Sequence, residues 1–90
     1  MDNTTLPTAS YRAIRTRFVG PTNMRGSRVI ADAGDNVSRV TLNWDHALNS
    51  EQNHATAAMA VVSKMGWNTP YHTGLTGGQH GNAYYWVFMP

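Results

Sequence analysis

The segment Arg25-Gly26-Ser27-Arg28, preceded by Thr22 and Asn23, holds the residue types in this sequence best suited to binding chemistry. Glycine lets successive backbone N–H groups turn into one concavity, a serine hydroxyl adds a donor, and two guanidinium forks supply charge. Together these suit an anion or a phosphate. The competing reading is an ordinary Gly-Ser connection with solvated arginines. Three further arginines, Arg15, Arg17 and Arg39, fall on segments whose alternation puts them on a polar strand face, which favours the anion reading. Arginine matters here because its planar fork grips phosphate bidentately, where lysine acts as a point charge.

The charge is unevenly distributed. Of the 90 residues only 13% are charged, about half the usual fraction, and the net charge is +2. Six of the seven basic residues are arginines between Arg12 and Arg39, and the remaining one is Lys64. Up to Val40 six arginines face Asp2, Asp32 and Asp35, while from Thr41 onward Lys64 faces Asp45 and Glu51, so the two halves carry +3 and −1. A charge-poor chain that clusters its arginines points to an anionic partner rather than to solubility.

A second constellation is Trp44-Asp45-His46-Ala47-Leu48-Asn49-Ser50-Glu51-Gln52-Asn53-His54. Its histidines and carboxylates are metal-ligand types, but no His-x-x-x-His pair sets two ligands on one helix face, and no metal site is expected. Asp45, Asn49 and Asn53 suit the backbone of a strand-to-helix junction, and His54 continues an apolar helix stripe as a core histidine would. In the functional reading the helix N-terminus faces the arginines, and Asn23, Asn53 and His54 read ribose or base edges. A third constellation is aromatic: Trp67, Tyr71, Tyr84, Tyr85 and Trp86 would serve either a small core or base stacking.

Catalysis is not expected. There is no cysteine, carboxylates are few, no serine sits in an elbow motif, and His46, His54, His72 and His80 have no evident charge partner beyond Asp45. The absence of cysteine also excludes a disulfide scaffold. No cofactor is implied. With no apolar run of membrane-spanning length and no signal-like N-terminus, the expectation is a soluble cytoplasmic protein without membrane contact.

The elements that must position these residues follow from periodicity. Residues 1–10 read as a flexible tail and 11–90 as one domain. Tyr11 to Val19 alternates, with Ile14, Thr16 and Phe18 facing one way and Ala13, Arg15 and Arg17 the other. A second strand spans Arg28 to Asp32. After an Ala33-Gly34-Asp35-Asn36 turn, a third spans Val37 to Trp44, with Val40, Leu42 and Trp44 inward and Arg39, Thr41 and Asn43 outward. The helix is expected over Ser50 to Met65, capped by Asn49 or Ser50, with Glu51 and Lys64 suiting its dipole and Gly66 ending it. Its stripe is Ala58, Val61, Val62 and Met65, continued by His54 or Ala55, with Trp67 closing the end. A hairpin of Tyr71 to Leu75 and Asn82 to Met89 is joined by a flexible Thr76–Gly81 connection, and its last strand is central or covered by a partner. The fold class is α+β: about five antiparallel strands with one packed helix, in the order βββ-α-ββ.

The segments Ala13–Arg17, Gly20–Arg28, Trp44–His54 and Lys64–Trp67, with Gly77-Gly78 after them, resemble a family of small proteins carried by bacteriophages and mobile elements. His80 and the Tyr84-Tyr85-Trp86 run depart from that family's pattern. By analogy the resemblance implies a counter-defence role. The protein would sequester a phosphorylated nucleotide signal, such as a cyclic oligonucleotide or a cyclic ADP-ribose isomer, within the cytoplasm of a bacterial host. So small a core also favours a homo-oligomer. The expected ligand-binding residues are Arg15, Arg17, Asn23, Arg25, Gly26, Ser27, Arg28, Arg39, Asn53 and His54. The alternatives are a single-stranded nucleic-acid binder that uses the arginine face as an open track, and an inhibitor that docks on a host defence protein.

Overall fold

A computed structural model of the chain describes residues 12–67 and 74–89. The expected tail, the strand start at Tyr11, the segment around Tyr71 and the residue His72 lie outside the described residues.

Three strands, β1 (Ala13–Val19), β2 (Arg28–Asp32) and β3 (Val40–Asn43), precede one helix, α1 (Ser50–Met65), and two strands, β4 (Gly74–His80) and β5 (Ala83–Met89), follow it. They form one antiparallel sheet in the order β3-β2-β1-β5-β4. The fold is therefore α+β with one helix on a five-stranded sheet. β1 is central, and the apolar β5 is internal because β1 and β4 flank it.

Side-chain alternation divides the sheet into two faces. Register pairs Ile14 with Trp86, Thr16 with Tyr84 and Ala31, and Phe18 with Val29, so these side chains share the face that α1 covers. The helix lies over β1, β2 and β3. Its buried positions Asn53, His54, Ala57, Ala58, Val61 and Val62 recur at helical spacing, and the alanines let the backbone approach the sheet closely. The core joins Ile14, Val29, Ala31, Ala57, Ala58, Val61, Val62, Trp86 and Phe88. Trp67 packs against it as the helix ends: Gly66 adopts φ 69°, and the Trp67 N–H donates to the Val62 carbonyl. Arg12 stacks over the Trp67 ring at 4.0 Å.

Two boundaries differ from the periodicity by three residues or more. β3 begins at Val40 rather than Val37, because Ser38 closes the preceding turn. Its N–H donates to Asp35 Oδ1 at 2.7 Å, and its Oγ accepts from the Ala33 N–H at 2.8 Å. Val37 is left exposed. The Thr76–Gly81 segment is also not a flexible connection. Thr76 to His80 pair with β5, and a two-residue turn at Gly81-Asn82 closes the hairpin. Gly81, at φ 60°, is the first turn residue, where type II′ turns favour glycine. Gly77 is required by packing, since a Cβ there would lie 2.4 Å from Cε3 of Trp86.

The register also defines two ends of the sheet. Val19, Arg28, Asn43, Ala83 and His80 mark one, where the β1–β2 loop, the β3–α1 junction and the β4–β5 turn emerge. Ala13, Asp32 and Val40 mark the other, with the β2–β3 turn. These are called the Arg28 end and the Asp32 end below.

Candidate functional site

The open face of the sheet carries the arginines. Arg15, Arg17 and Val19 alternate with the covered residues of β1. Opposite them on β2 stand Asp32, Ile30 and Arg28, and on β5 Tyr85 is paired with Arg15. Arg17 and Arg28 are therefore diagonal neighbours on adjacent strands, and Asn43 of β3 faces Arg28 from the other side. Tyr85 is 43% exposed, with His80 edge-on to it at 6.5 Å. Tyr84 and Trp86, by alternation, lie on the helix face.

Arg28 is the unusual member. Its side chain opens β2 and is only 8% exposed, and its Nε is buried without a hydrogen-bond partner. Among the described residues the ion pair is Arg15 with Asp32, at 3.8 Å, so Arg17, Arg25 and Arg28 have no carboxylate partner. Its Nε, withdrawn from water as an unmet donor, carries a desolvation cost, while the Nη groups keep the solvent contact through which a fixed anion would reach the charge.

The Asp32 end differs. A cleft of about 430 Å³ is lined there by Arg15 and Arg39, but also by Asp32, Asp35 and Asn36. Asp32 Oδ1 accepts from the Gly34 N–H at 2.9 Å. The backbone and side chain of Ser38 hold the Asp35 carboxyl below its ordinary value, so it stays ionised. Two carboxylates beside two guanidinium groups leave this cleft without the surplus cation a phosphate requires.

The expected ligand set is thus not gathered in one place. Arg15 and Arg39 are at the Asp32 end, and Arg17 and Arg28 are at the other. Asn23, Arg25 and Gly26 are exposed in the loop beyond the Arg28 end, and the Ser27 carbonyl accepts from the Trp44 N–H at 2.9 Å. The loop amides do not form the expected nest at Met24 and Arg25. Both donate to Thr22 Oγ1, at 3.3 and 3.1 Å, and Gly26 is not among the positive-φ glycines a nest draws on.

Asn53 and His54 lie on the opposite face of the sheet from the arginines. Asn53 is a junction clamp: its Oδ1 accepts from the Asp45 N–H at 2.8 Å, and its Nδ2 donates to the carbonyls of Asp45 and Asn49. Those bonds leave no donor and little acceptor capacity for a ribose or a base. The helix N-terminus is similarly engaged, since Asn49 and Gln52 form a reciprocal capping box. His54 is 2% exposed, with Nδ1 at 2.7 Å from Thr16 Oγ1, which also accepts from Trp86 Nε1 at 3.1 Å. Burial pushes the imidazole below its ordinary value, opposed by a smaller contribution from the Thr16 backbone.

The sequence names Tyr85 among five candidate rings and Arg28 among the arginines, but not that Tyr85 is the exposed ring on the arginine face or that Arg28 is buried. The alternation of β5 carried the first signal. No group of three or more His, Asp or Glu among the described residues is arranged to hold a metal ion. No helix among them is long and apolar enough to cross a membrane. No protein-family model, curated protein or solved structure matches this chain.

Proposed function

We propose that this protein is a non-enzymatic binder of a small phosphorylated nucleotide, held at the Arg28 end of the open sheet face. The observation that carries the reading is Arg28, more than nine-tenths buried with Nε unpartnered and no carboxylate paired to it. Arg17 beside it and Arg25 on the adjoining loop would add charge, while Tyr85, diagonal to Arg17 on β5, is a stacking ring only for a ligand that extends along the face toward Arg15. Such a protein acts by sequestration, as a homo-oligomer in the bacterial cytoplasm. The resemblance to bacteriophage proteins makes immune nucleotide messengers the first class to test. Isothermal titration against cyclic dinucleotides, cyclic trinucleotides and cyclic ADP-ribose isomers is expected to give saturable heat with at least one, lost in Arg28→Ala. No heat with any of them contradicts the reading.

A second reading, binding of single-stranded nucleic acid, is favoured by the placement of Arg15 directly across from exposed Tyr85, which extends the arginine line along the open face. Salt separates the two. A strand bound through several phosphates loses affinity steeply as ionic strength rises, and a ligand with one or two phosphates loses it gently.

A further inference from the structure

On the helix face of the Arg28 end a cleft of about 340 Å³ opens between the first turn of α1 and the β4–β5 turn. Phe18, Ser50, His54, Gln79, Asn82 and Tyr84 line it, so among the described residues no Arg, Lys, Asp or Glu side chain forms its wall. Its volume lies at the lower end for small-molecule sites, enough for one compact ring system.

The wall has two kinds of group. The first is aromatic. Phe18 is 47% exposed although it sits on the covered face, and its ring stands perpendicular to Trp44 at 4.9 Å between ring centroids. Tyr84 is fixed by His54 at 4.4 Å and by Trp86, stacked at 5.9 Å with 14° between planes. The second is neutral and polar. The carboxamides of Gln79 and Asn82 have no hydrogen-bond partner among the described residues. His54 is clamped through Nδ1 to Thr16, which leaves Nε2 as the ring nitrogen available to a ligand. Rigid rings beside free carboxamides are the combination that recognises a flat molecule with adjacent donors and acceptors on its edge. A carboxamide matches a base edge bidentately in that way.

We propose that this cleft binds an uncharged planar heterocycle of the nucleobase class, stacked on Phe18 and Tyr84 and read by Gln79, Asn82 and Nε2 of His54. The site is separate from the arginines on the other face and does not depend on them. Gln79 and Asn82 are exposed residues at the tip of a hairpin, so their removal leaves the core intact.

The test is a titration of isotope-labelled protein with adenosine, guanosine, cytidine and uridine, followed by NMR. These nucleosides carry no phosphate. At least one should shift the side-chain amide signals of Gln79 and Asn82 and the ring signals of His54 in a saturable way. Gln79→Ala should weaken that nucleoside about tenfold at unchanged melting temperature. Arg28→Ala should leave its affinity unchanged. Absence of saturable shifts with all four nucleosides overturns the proposal, as does binding indifferent to both Gln79→Ala and Asn82→Ala. Either failure leaves the phosphate reading standing, because that reading is tested with charged ligands on the other face. Its failure likewise leaves this one.

Discussion

The two ends of the open sheet face use the same residue type in opposite ways. At the Asp32 end Arg15 meets Asp32, Arg39 shares its cleft with Asp35, and the backbone carbonyl of Arg39 accepts from Lys64 Nζ at 2.8 Å. Carboxylates already stand among the cations there, and the arginines finish a turn. At the Arg28 end Arg17, Arg25 and Arg28 have no carboxylate partner among the described residues, and Arg28 is withdrawn from water. A count of arginines therefore says little about where an anion binds. What separates the ends is whether the fold already supplies the counter-charge.

The largest expected effect tests whether the Arg28 end is held by its junction rather than by a ligand. Asn53→Ala removes the partner of the part-buried N–H and carbonyl of Asp45 and of the Asn49 carbonyl, and should cost roughly 2–3 kcal/mol, read from urea denaturation. Loss of ligand binding with full stability would instead return Asn53 to a ligand-reading role. Next comes Gly77→Ala, whose added Cβ would press into Trp86 and disturb the Trp86–Thr16–His54 chain. It should destabilise by about 2 kcal/mol and bleach the His54 contribution with it.

That contribution has a defined pH signature. The folded-state imidazole lies below its ordinary 6.5, so the unfolded chain takes up a proton first. Stability is full above 6.5 and declines as pH falls below it toward the lowered folded-state value; His54→Gln should flatten that slope in thermal melts. The smallest effect belongs to the Asp32 end. Arg15 is half-exposed and its contact with Asp32 is long, so Arg15→Ala should change stability by less than about 0.5 kcal/mol. A larger loss would make the Asp32 end the more tightly built of the two.

Much of this arrangement is legible in the chain. Alternation through Ile14, Thr16 and Phe18 places Arg15 and Arg17 on the other face, and the Asn49, Glu51, Lys64 and Gly66 signals bracket the helix. The same alternation forbids the single ligand set. Thr16 has the opposite parity to Arg15 and Arg17, so a histidine on the helix stripe that packs over Thr16 cannot share their face. Two features were not legible because tertiary context overrides local preference. Gly77-Gly78-Gln79-His80 lacks strand formers, yet it pairs with β5, where Gly77 leaves room for Trp86. The burial of Arg28 depends on neighbours from β1 and β3 that no local pattern names.

The central claim is that Arg28 is kept for a ligand and at a cost to the fold. Arg28→Met preserves the stem and removes the charge, so thermal unfolding of this variant without ligand, beside titration with the nucleotide panel, is the direct measurement. The account predicts a gain of about 1 kcal/mol, a melting temperature higher by roughly 4–8 °C, and no nucleotide binding. A melting temperature that falls by several degrees would contradict it, since Arg28 would then be part of what holds the sheet together.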